Sequence, residues 1–272
     1  MDYQLIAFDM DGTLLDDKKQ ILPDTLRAIH EATEAGKVVA IASGRSPRMI
    51  ELYREQLPDV RYAICISGAS ILDLREGRLL MQESFDPKVI SRLRAACEGE
   101  DYVLEVFSGM DAYMQKDQLS NLEPYGVGQF RKLYETVSVL VDDIEGWVTE
   151  HPDAIAKYNV HARGAEACNR IIDGAAGLPA TVAITEGCSA EFSPAGVSKG
   201  TALKILCEQL DIPVEKSIAV GDSGNDVEMI RAAGLGVAMG NATPDVLAAA
   251  NVTVSDNNAG GCAEAIRKYL LG

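Results

Sequence analysis

The stretch Leu5-Ile6-Ala7-Phe8-Asp9-Met10-Asp11-Gly12-Thr13 decides the fold. An apolar run that stops abruptly on acids and a glycine reads as a buried parallel strand ending in a turn. Charge at such a place is costly. Strand residues two apart share a face, yet a turn beginning at Gly12 can aim the two carboxylates differently, one at a phosphorus atom and one at a leaving oxygen. The plainer alternative is an Asx-type turn, since Asp and Gly are ordinary turn residues at strand ends.

The same grammar recurs outward from this stretch. Apolar runs at 38–42 before Ser43-Gly44-Arg45, and at 63–66 before Ser67-Gly68-Ala69, read as further buried strands. Residues 23–35, closed by Gly36, and 47–57, closed by Pro58, have the spacing of amphipathic helices. Late in the chain the spacing predicts a helix over 200–210, a strand over 217–220 ending at Gly221-Asp222, and a helix over 225–233. Short strands at 235–239 and 252–254 and a terminal helix at 266–271 follow. Alternating strands and helices predict an α/β protein with a doubly wound, Rossmann-like parallel sheet, whose ligands bind beyond the carboxyl ends of the strands.

The middle reads differently. Helices at 87–98, 144–150 and 165–175 mix with strands at 102–107, 154–160 and 181–185, and few polar clusters sit at strand ends. This predicts an inserted second α/β domain over 85–187, leaving a discontinuous core of 1–84 and 188–272. Ser84-Phe85-Asp86-Pro87 and Phe192-Ser193-Pro194-Ala195-Gly196 are the candidate hinges.

Composition narrows the function classes. The 272 residues are 47% hydrophobic with 24 glycines, as in an ordinary globular protein. A formal charge of −16 disfavours nucleic acid, whose binding relies on Lys and Arg. An anionic substrate would then need a local cation cluster or a metal to draw it in. No apolar run approaches the ~20 residues of a membrane helix, and Met1-Asp2-Tyr3-Gln4 lacks a signal-peptide pattern, so the expected location is cytoplasmic with no membrane contact. Cys65, Cys97, Cys168, Cys188, Cys207 and Cys262 are scattered singly and read as reduced core thiols; His30, His151 and His161 also sit apart and read as structural. Oligomeric state stays open between monomer and homodimer.

Four groups at strand ends or helix starts need one explanation: Asp9 with Asp11, Ser43, Lys199, and the acidic loop Gly221-Asp222-Ser223-Gly224-Asn225-Asp226. Phosphoryl transfer uses all of them. A carboxylate can attack phosphorus, a hydroxyl and an ammonium can hold the equatorial oxygens, and Mg²⁺ takes carboxylate, carbonyl and phosphate oxygens. Each piece has a plain reading as well: Lys199 as a surface residue, Ser43 as a helix N-cap, and the late loop as a turn and cap.

D-x-D-G-T at Asp9–Thr13, S-G-R at Ser43–Arg45, G-V-S-K-G at Gly196–Gly200 and G-D-S-x-N-D at Gly221–Asp226 together resemble the haloacid dehalogenase superfamily. The long insert, with Met239-Gly240-Asn241-Ala242 and the 261–268 ending, is similar to its Cof-type phosphatase branch (subclass IIB), which carries a large α/β cap. The resemblance implies Asp9 as nucleophile and Asp11 as the acid that later activates water. It implies Ser43, Gly44, Lys199 and Asn225 at the phosphate. Mg²⁺ would be held by Asp9, Asp222, the Asp11 carbonyl and Asp226, the last either directly or as support. Where relatives often have Asn-Gly-Ala, this chain has Ser67-Gly68-Ala69, so Ser67 and Gly68 remain candidate substrate contacts together with Arg45.

The implied activity is hydrolysis of a small phosphorylated metabolite, such as a sugar phosphate, through an aspartyl phosphate. A phosphomutase would share the motifs and differ in its products, and a phospho-ligand sensor without catalysis is the reading from another class. Specificity is expected from the insert and hinge residues, where Glu191, Arg163 and residues 111–115 are candidates.

Overall fold

The computed structural model describes residues 2–185 and 188–272. Contacts divide the chain into two compact units, one made of the chain up to Arg45 with Ile50–Met81 and Ser198–Gly272, the other of Gln82–Val197 with Ser46–Met49. In chain order the strands are β1 (Leu5–Phe8), β2 (Val38–Ala42), β3 (Tyr62–Cys65), β4 (Ser70–Asp73), β5 (Arg78–Gln82), β6 (Tyr102–Ser108) and β7 (Asp111–Gln115). They continue with β8 (Ser138–Val141), β9 (Lys157–Ala162), β10 (Ala180–Thr185), β11 (Ser189–Pro194), β12 (Ser217–Gly221), β13 (Leu235–Ala238) and β14 (Val252–Thr253).

The first unit is built on an eight-stranded sheet in the order β14-β13-β12-β1-β2-β3-β4-β5. β1 lies at its centre, parallel to β2 and to β12, with Phe8 beside Ile41 on one side and Val220 on the other. Its four residues are wholly buried, as an apolar run covered on both faces must be. From β1 the chain winds one way through β2 and β3, and after the insert it winds the other way from β12 through β13 to β14. The reversal leaves a crevice at the carboxyl ends of β1 and β12, the place where doubly wound sheets bind ligands. The expected parallel sheet is present, and an antiparallel extension that the apolar pattern did not disclose follows it, with β4 folding back on β3.

Several helices are shorter than their apolar spacing suggests. The helix expected over 47–57 stops at Glu51 and continues as turns, and the one expected from 225 begins at Val227 after a 3₁₀ turn, Gly224–Asp226. The terminal helix starts earlier than expected, as Gly261–Ala265, and passes into a π-helical turn, Ile266–Leu270.

The second unit carries a six-stranded sheet in the order β10-β11-β9-β6-β7-β8, antiparallel except for the parallel β7–β8 pair. Strand alternation gives it two unlike faces. Leu104, Val106, Tyr158, Val160, Ala190 and Phe192 join Val89, Ile90 and Leu93 of helix Pro87–Ala96 and Ile171 of helix Ala165–Gly174 in one hydrophobic core. The opposite face combines a smaller apolar cluster around Val103 and Met114 with polar groups: Asn159 Nδ2 donates to Glu105 Oε2 at 3.1 Å, His161 Nδ1 meets Ser189 Oγ at 2.8 Å, and Lys157 pairs with Glu191. This sheet takes in β11, which bonds to both β9 and β10, so the second unit runs through Val197 rather than stopping near 187; the candidate hinge at 192–196 is partly strand. Residues 186 and 187, where the sequence put the end of the insert, lie outside the described residues. All six cysteines are free and buried.

Gly68 shows how tightly the first unit is packed near the crevice. Its φ is +106°, and a Cβ there would stand 2.1 Å from the Ser198 carbonyl oxygen. Gly68→Ala must push the start of helix Lys199–Gln209 away, at about 1–3 kcal/mol, as overpacking usually costs. Gly36 also has a positive φ, of +76°, but has nothing within 4 Å of its Cβ position. Thermal denaturation is expected to show a clearly larger loss for Gly68→Ala than for Gly36→Ala; equal losses would mean that backbone strain alone sets the cost.

Candidate active site

Asp9 extends β1 by one residue: its N–H donates to the Val220 carbonyl of β12 at 3.0 Å. The chain then folds back, with Leu14 N–H on the Asp9 carbonyl at 3.1 Å and Leu15 N–H on that of Met10 at 2.8 Å. Gly12, with φ +83°, makes the turn, and no side chain fits there because its Cβ would lie 2.4 Å from Asp222 Oδ2. The Thr13 hydroxyl donates to Asp222 Oδ1 at 2.8 Å, and Asn241 Nδ2 holds the Gly12 carbonyl at 2.8 Å. The loops after β1 and β12 are thus bonded to each other, which fixes where the carboxylates meet.

Lys199 enters from the start of helix Lys199–Gln209. Ser198 caps that helix, and its side chain and that of Thr201 satisfy each other's backbone N–H groups. The Lys199 side chain is 1% exposed, and its ammonium donates to Asp9 Oδ1 at 2.5 Å, to Asp226 Oδ1 at 2.7 Å and to Asn225 Oδ1 at 3.4 Å. Asp226 Oδ2 is bound in turn by the backbone N–H groups of Asp222 at 3.0 Å and Ser223 at 3.1 Å. The loop reading of 222–226 as turn and cap therefore holds together with its place beside Lys199.

Three carboxylates, of Asp9, Asp222 and Asp226, bring ligand atoms within 4.8 Å of one another. Burial is the chief influence on Asp9: it pushes the carboxyl up to about 7, with Lys199 pulling the other way and Asp226 and Asp222 adding to the rise. Burial would lower the Lys199 ammonium, but its two carboxylate partners more than offset that and hold it protonated. Asp222 is raised by burial first, against the Thr13 hydrogen bond. One ammonium cannot balance three carboxylates in so dry a place. Hard oxygen donors with a deficit of positive charge suit a hard divalent cation, so the residues fit such a metal.

Asp11 is held differently, and its carboxylate is not among that cluster. Arg45 grips it with both prongs, Nε on Oδ2 at 3.0 Å and Nη2 on Oδ1 at 2.9 Å, and Lys19 Nζ adds a bond to Oδ1 at 2.8 Å. Burial would raise this carboxyl, but Arg45 and then Lys19 outweigh it and leave it below the ordinary range. Arg45 also lies over the Tyr53 ring, 5.5 Å from its centroid.

The other expected residues form the adjoining wall. Ser43 is buried, and its hydroxyl accepts from the Arg45 N–H at 3.3 Å. It is not the helix cap, for Ser46 Oγ takes the Met49 N–H at 3.3 Å. Ser67 N–H donates to the Ser43 carbonyl at 3.0 Å, and Ser67 Oγ would be 3.3 Å from a Cβ on Gly44, so the 43–45 and 66–68 loops lie side by side. Gly68 packs on the Ser198 backbone. Lys19, Tyr53 and Asn241 took no role in the sequence reading. The first two carry no spacing signal, while Thr13 and Asn241 stood inside quoted motifs without an assigned contact.

A family model described as haloacid dehalogenase-like hydrolase matches residues 6–266. Phosphatase YwpJ of Bacillus subtilis (strain 168) is 33% identical, with 98% of this chain and 100% of that protein covered. The pyridoxal phosphate phosphatase YbhA of Escherichia coli (strain K12) is 27% identical, with all of both chains covered. A solved haloacid dehalogenase-like hydrolase from B. subtilis superposes with a TM-score of 0.82 at 29% identity, covering 98% of this chain and 100% of the other.

The raised Asp9 carboxyl has a consequence for stability without metal. With a value of about 7 in the fold against about 3.9 unfolded, the folded state binds the extra proton between these limits, so this contribution to stability is lost as pH rises from about 4 through 7. In chelator, the thermal midpoint of the native protein is expected to fall relative to that of Asp9→Asn over this range. A constant offset between the two would remove Asp9 as the source.

Proposed function

The chain belongs to the haloacid dehalogenase-like hydrolase family, and from that premise we propose that it is a Mg²⁺-dependent phosphatase of small phosphorylated metabolites. The observation that carries this reading is the buried group of Asp9, Asp222 and Asp226 around the Lys199 ammonium at the switch point of the sheet. Two relatives named as phosphatases, one acting on pyridoxal phosphate, support the substrate class. No helix among the described residues is long and apolar enough to cross a membrane, and the buried free thiols agree with a cytoplasmic enzyme.

In this reading an Asp9 oxygen attacks phosphorus, the bond to the leaving oxygen breaks, and Asp11 delivers a proton to that oxygen. Asp11 then takes a proton from water, which attacks the aspartyl phosphate and frees inorganic phosphate and Asp9. Lys199 and Ser43 hold the phosphoryl oxygens, with the Gly44 backbone and Asn225 beside them. Mg²⁺, held by Asp9 and Asp222 with the Asp11 carbonyl, would supply charge neutralisation. Asp226 supports from behind, because its oxygens are engaged by Lys199 and two backbone N–H groups. Arg45 is a suitable contact for an anionic substrate, since its fork matches phosphate as well as carboxylate. Taking up substrate would loosen its hold on Asp11 and let that carboxyl gain a proton.

Release of inorganic phosphate from sugar phosphates, nucleotides and pyridoxal phosphate tests the reading. Turnover is expected with Mg²⁺, to vanish with chelator, and to fall about a thousandfold or more in Asp9→Asn, as for loss of a nucleophile. Substantial Mg²⁺-dependent turnover by Asp9→Asn, or an isomerised sugar phosphate as product, would overturn it.

A further inference from the structure

Sheet edges are where unpaired backbone groups invite another chain, and folded proteins usually blunt them with short strands, charges or proline. The described residues leave four such edges. β14 has only two residues, β5 opens on the exposed Arg78, and β8 has four residues followed by Asp142 and Asp143. The edge strand β10 has none of these within its own six residues, Pro179 and Glu186 standing only at its two ends in the sequence. Its six residues, Ala180-Thr181-Val182-Ala183-Ile184-Thr185, are uncharged, and no charge occurs anywhere in 174–185, although 24% of the chain is charged.

Which backbone groups of β10 face outward follows from its partner. Ala180 lies opposite Pro194, which has no N–H, and Ala180 N–H goes to the Leu178 carbonyl at 2.8 Å, so this is a non-hydrogen-bonded pair. Antiparallel pairs alternate. Thr181, Ala183 and Thr185 therefore exchange bonds with β11, opposite Ser193, Glu191 and Ser189, while Val182 and Ile184 turn their N–H and C=O groups to the open edge.

Their side chains share a face with the hydrophobic core, for Val182 is opposite Phe192 and Ile184 opposite Ala190. The core's helices do not cover them, and they remain 39% and 59% exposed.

We propose that β10 is a homodimer contact, pairing antiparallel with β10 of a second copy about a two-fold axis at Ala183. The strand is self-complementary in that register. Val182 of each copy faces Ile184 of the other as a hydrogen-bonded pair, giving four backbone bonds and two apolar cross-strand contacts on one face. A second copy is favoured over a charged partner because the six strand residues, which make the contact, carry no charge to recognise one. For two chains of formal charge −16, an uncharged strand is also the edge where like charges are kept out of the contact. Bulk repulsion between the copies still opposes dimerisation, so added salt strengthens the dimer.

Sedimentation of the full chain over a concentration series, at low and moderate salt, tests the proposal. A concentration-dependent dimer is expected, favoured by salt and converted to monomer by Ile184→Lys, with phosphate release retained as a check on folding. The register has its own test. At the two-fold axis the Ala183 Cα atoms would be about 4.5 Å apart, as in a non-hydrogen-bonded pair, which a disulfide can bridge. Ala183→Cys is expected to cross-link under mild oxidation; Thr181→Cys, placed opposite Thr185 of the other copy, is not. A monomer at every concentration, or a dimer unaffected by Ile184→Lys and not cross-linked by Ala183→Cys, overturns the proposal.

Discussion

The Lys199 ammonium, enclosed by Asp9 and Asp226, is the interaction on which the first unit depends. Removing one partner of such a buried pair commonly costs about 3–5 kcal/mol, because the charge left behind has lost both water and its counterion. The fold invests accordingly in placing these groups. Asp9 is fixed by its bond to β12, Asp226 by two backbone N–H groups, and Lys199 by a capped helix start whose backbone leaves no room for a Cβ on Gly68. Each anchor is backbone geometry, so the position of the charges follows from strand order and turn conformation.

Much of this was legible in the sequence because its physical causes are local. The abrupt end of an apolar run on Asp9, and another ending at Gly221-Asp222, announced strands β1 and β12 and the acids at their carboxyl ends. Lys199 was placed at the phosphate by its motif alone, and its ion pairs with Asp9 and Asp226 were not foreseen. Its burial and its distance from Asp9 depend on contacts across 190 positions, which no local pattern encodes. The clamp on Asp11 was invisible for a similar reason: Lys19 reaches it from a left-handed turn residue, with φ 59°, in a segment without hydrophobic periodicity.

The second sheet shows another limit. β11 reads as a loop because Ser193, Pro194 and Gly196 are turn residues, yet its alternation of Ala190 and Phe192 toward the hydrophobic core with Ser189 and Glu191 on the other face is that of a strand. Turn chemistry and period-two alternation conflicted over a short stretch, and pairing with β9 and β10 decided the matter. A proline at the last position is tolerated because it occupies a non-hydrogen-bonded place in the ladder.

The two acids of the opening motif end in opposite states. Asp9 is raised by burial, whereas Asp11 is lowered by Arg45 and Lys19. Environments that push neighbouring carboxyls apart are how one site divides acid from base work. Here the division is the reverse of what the proposed attack on phosphorus would require, since the buried carboxyl favours its proton and the clamped one is ionised. A divalent cation beside Asp9 and Asp222 would favour the ionised form of Asp9, and an anion competing for Arg45 would raise Asp11. Each ligand would thereby correct one of the two carboxyls, so that on the proposed mechanism the site would be electrostatically ready for chemistry only with both bound.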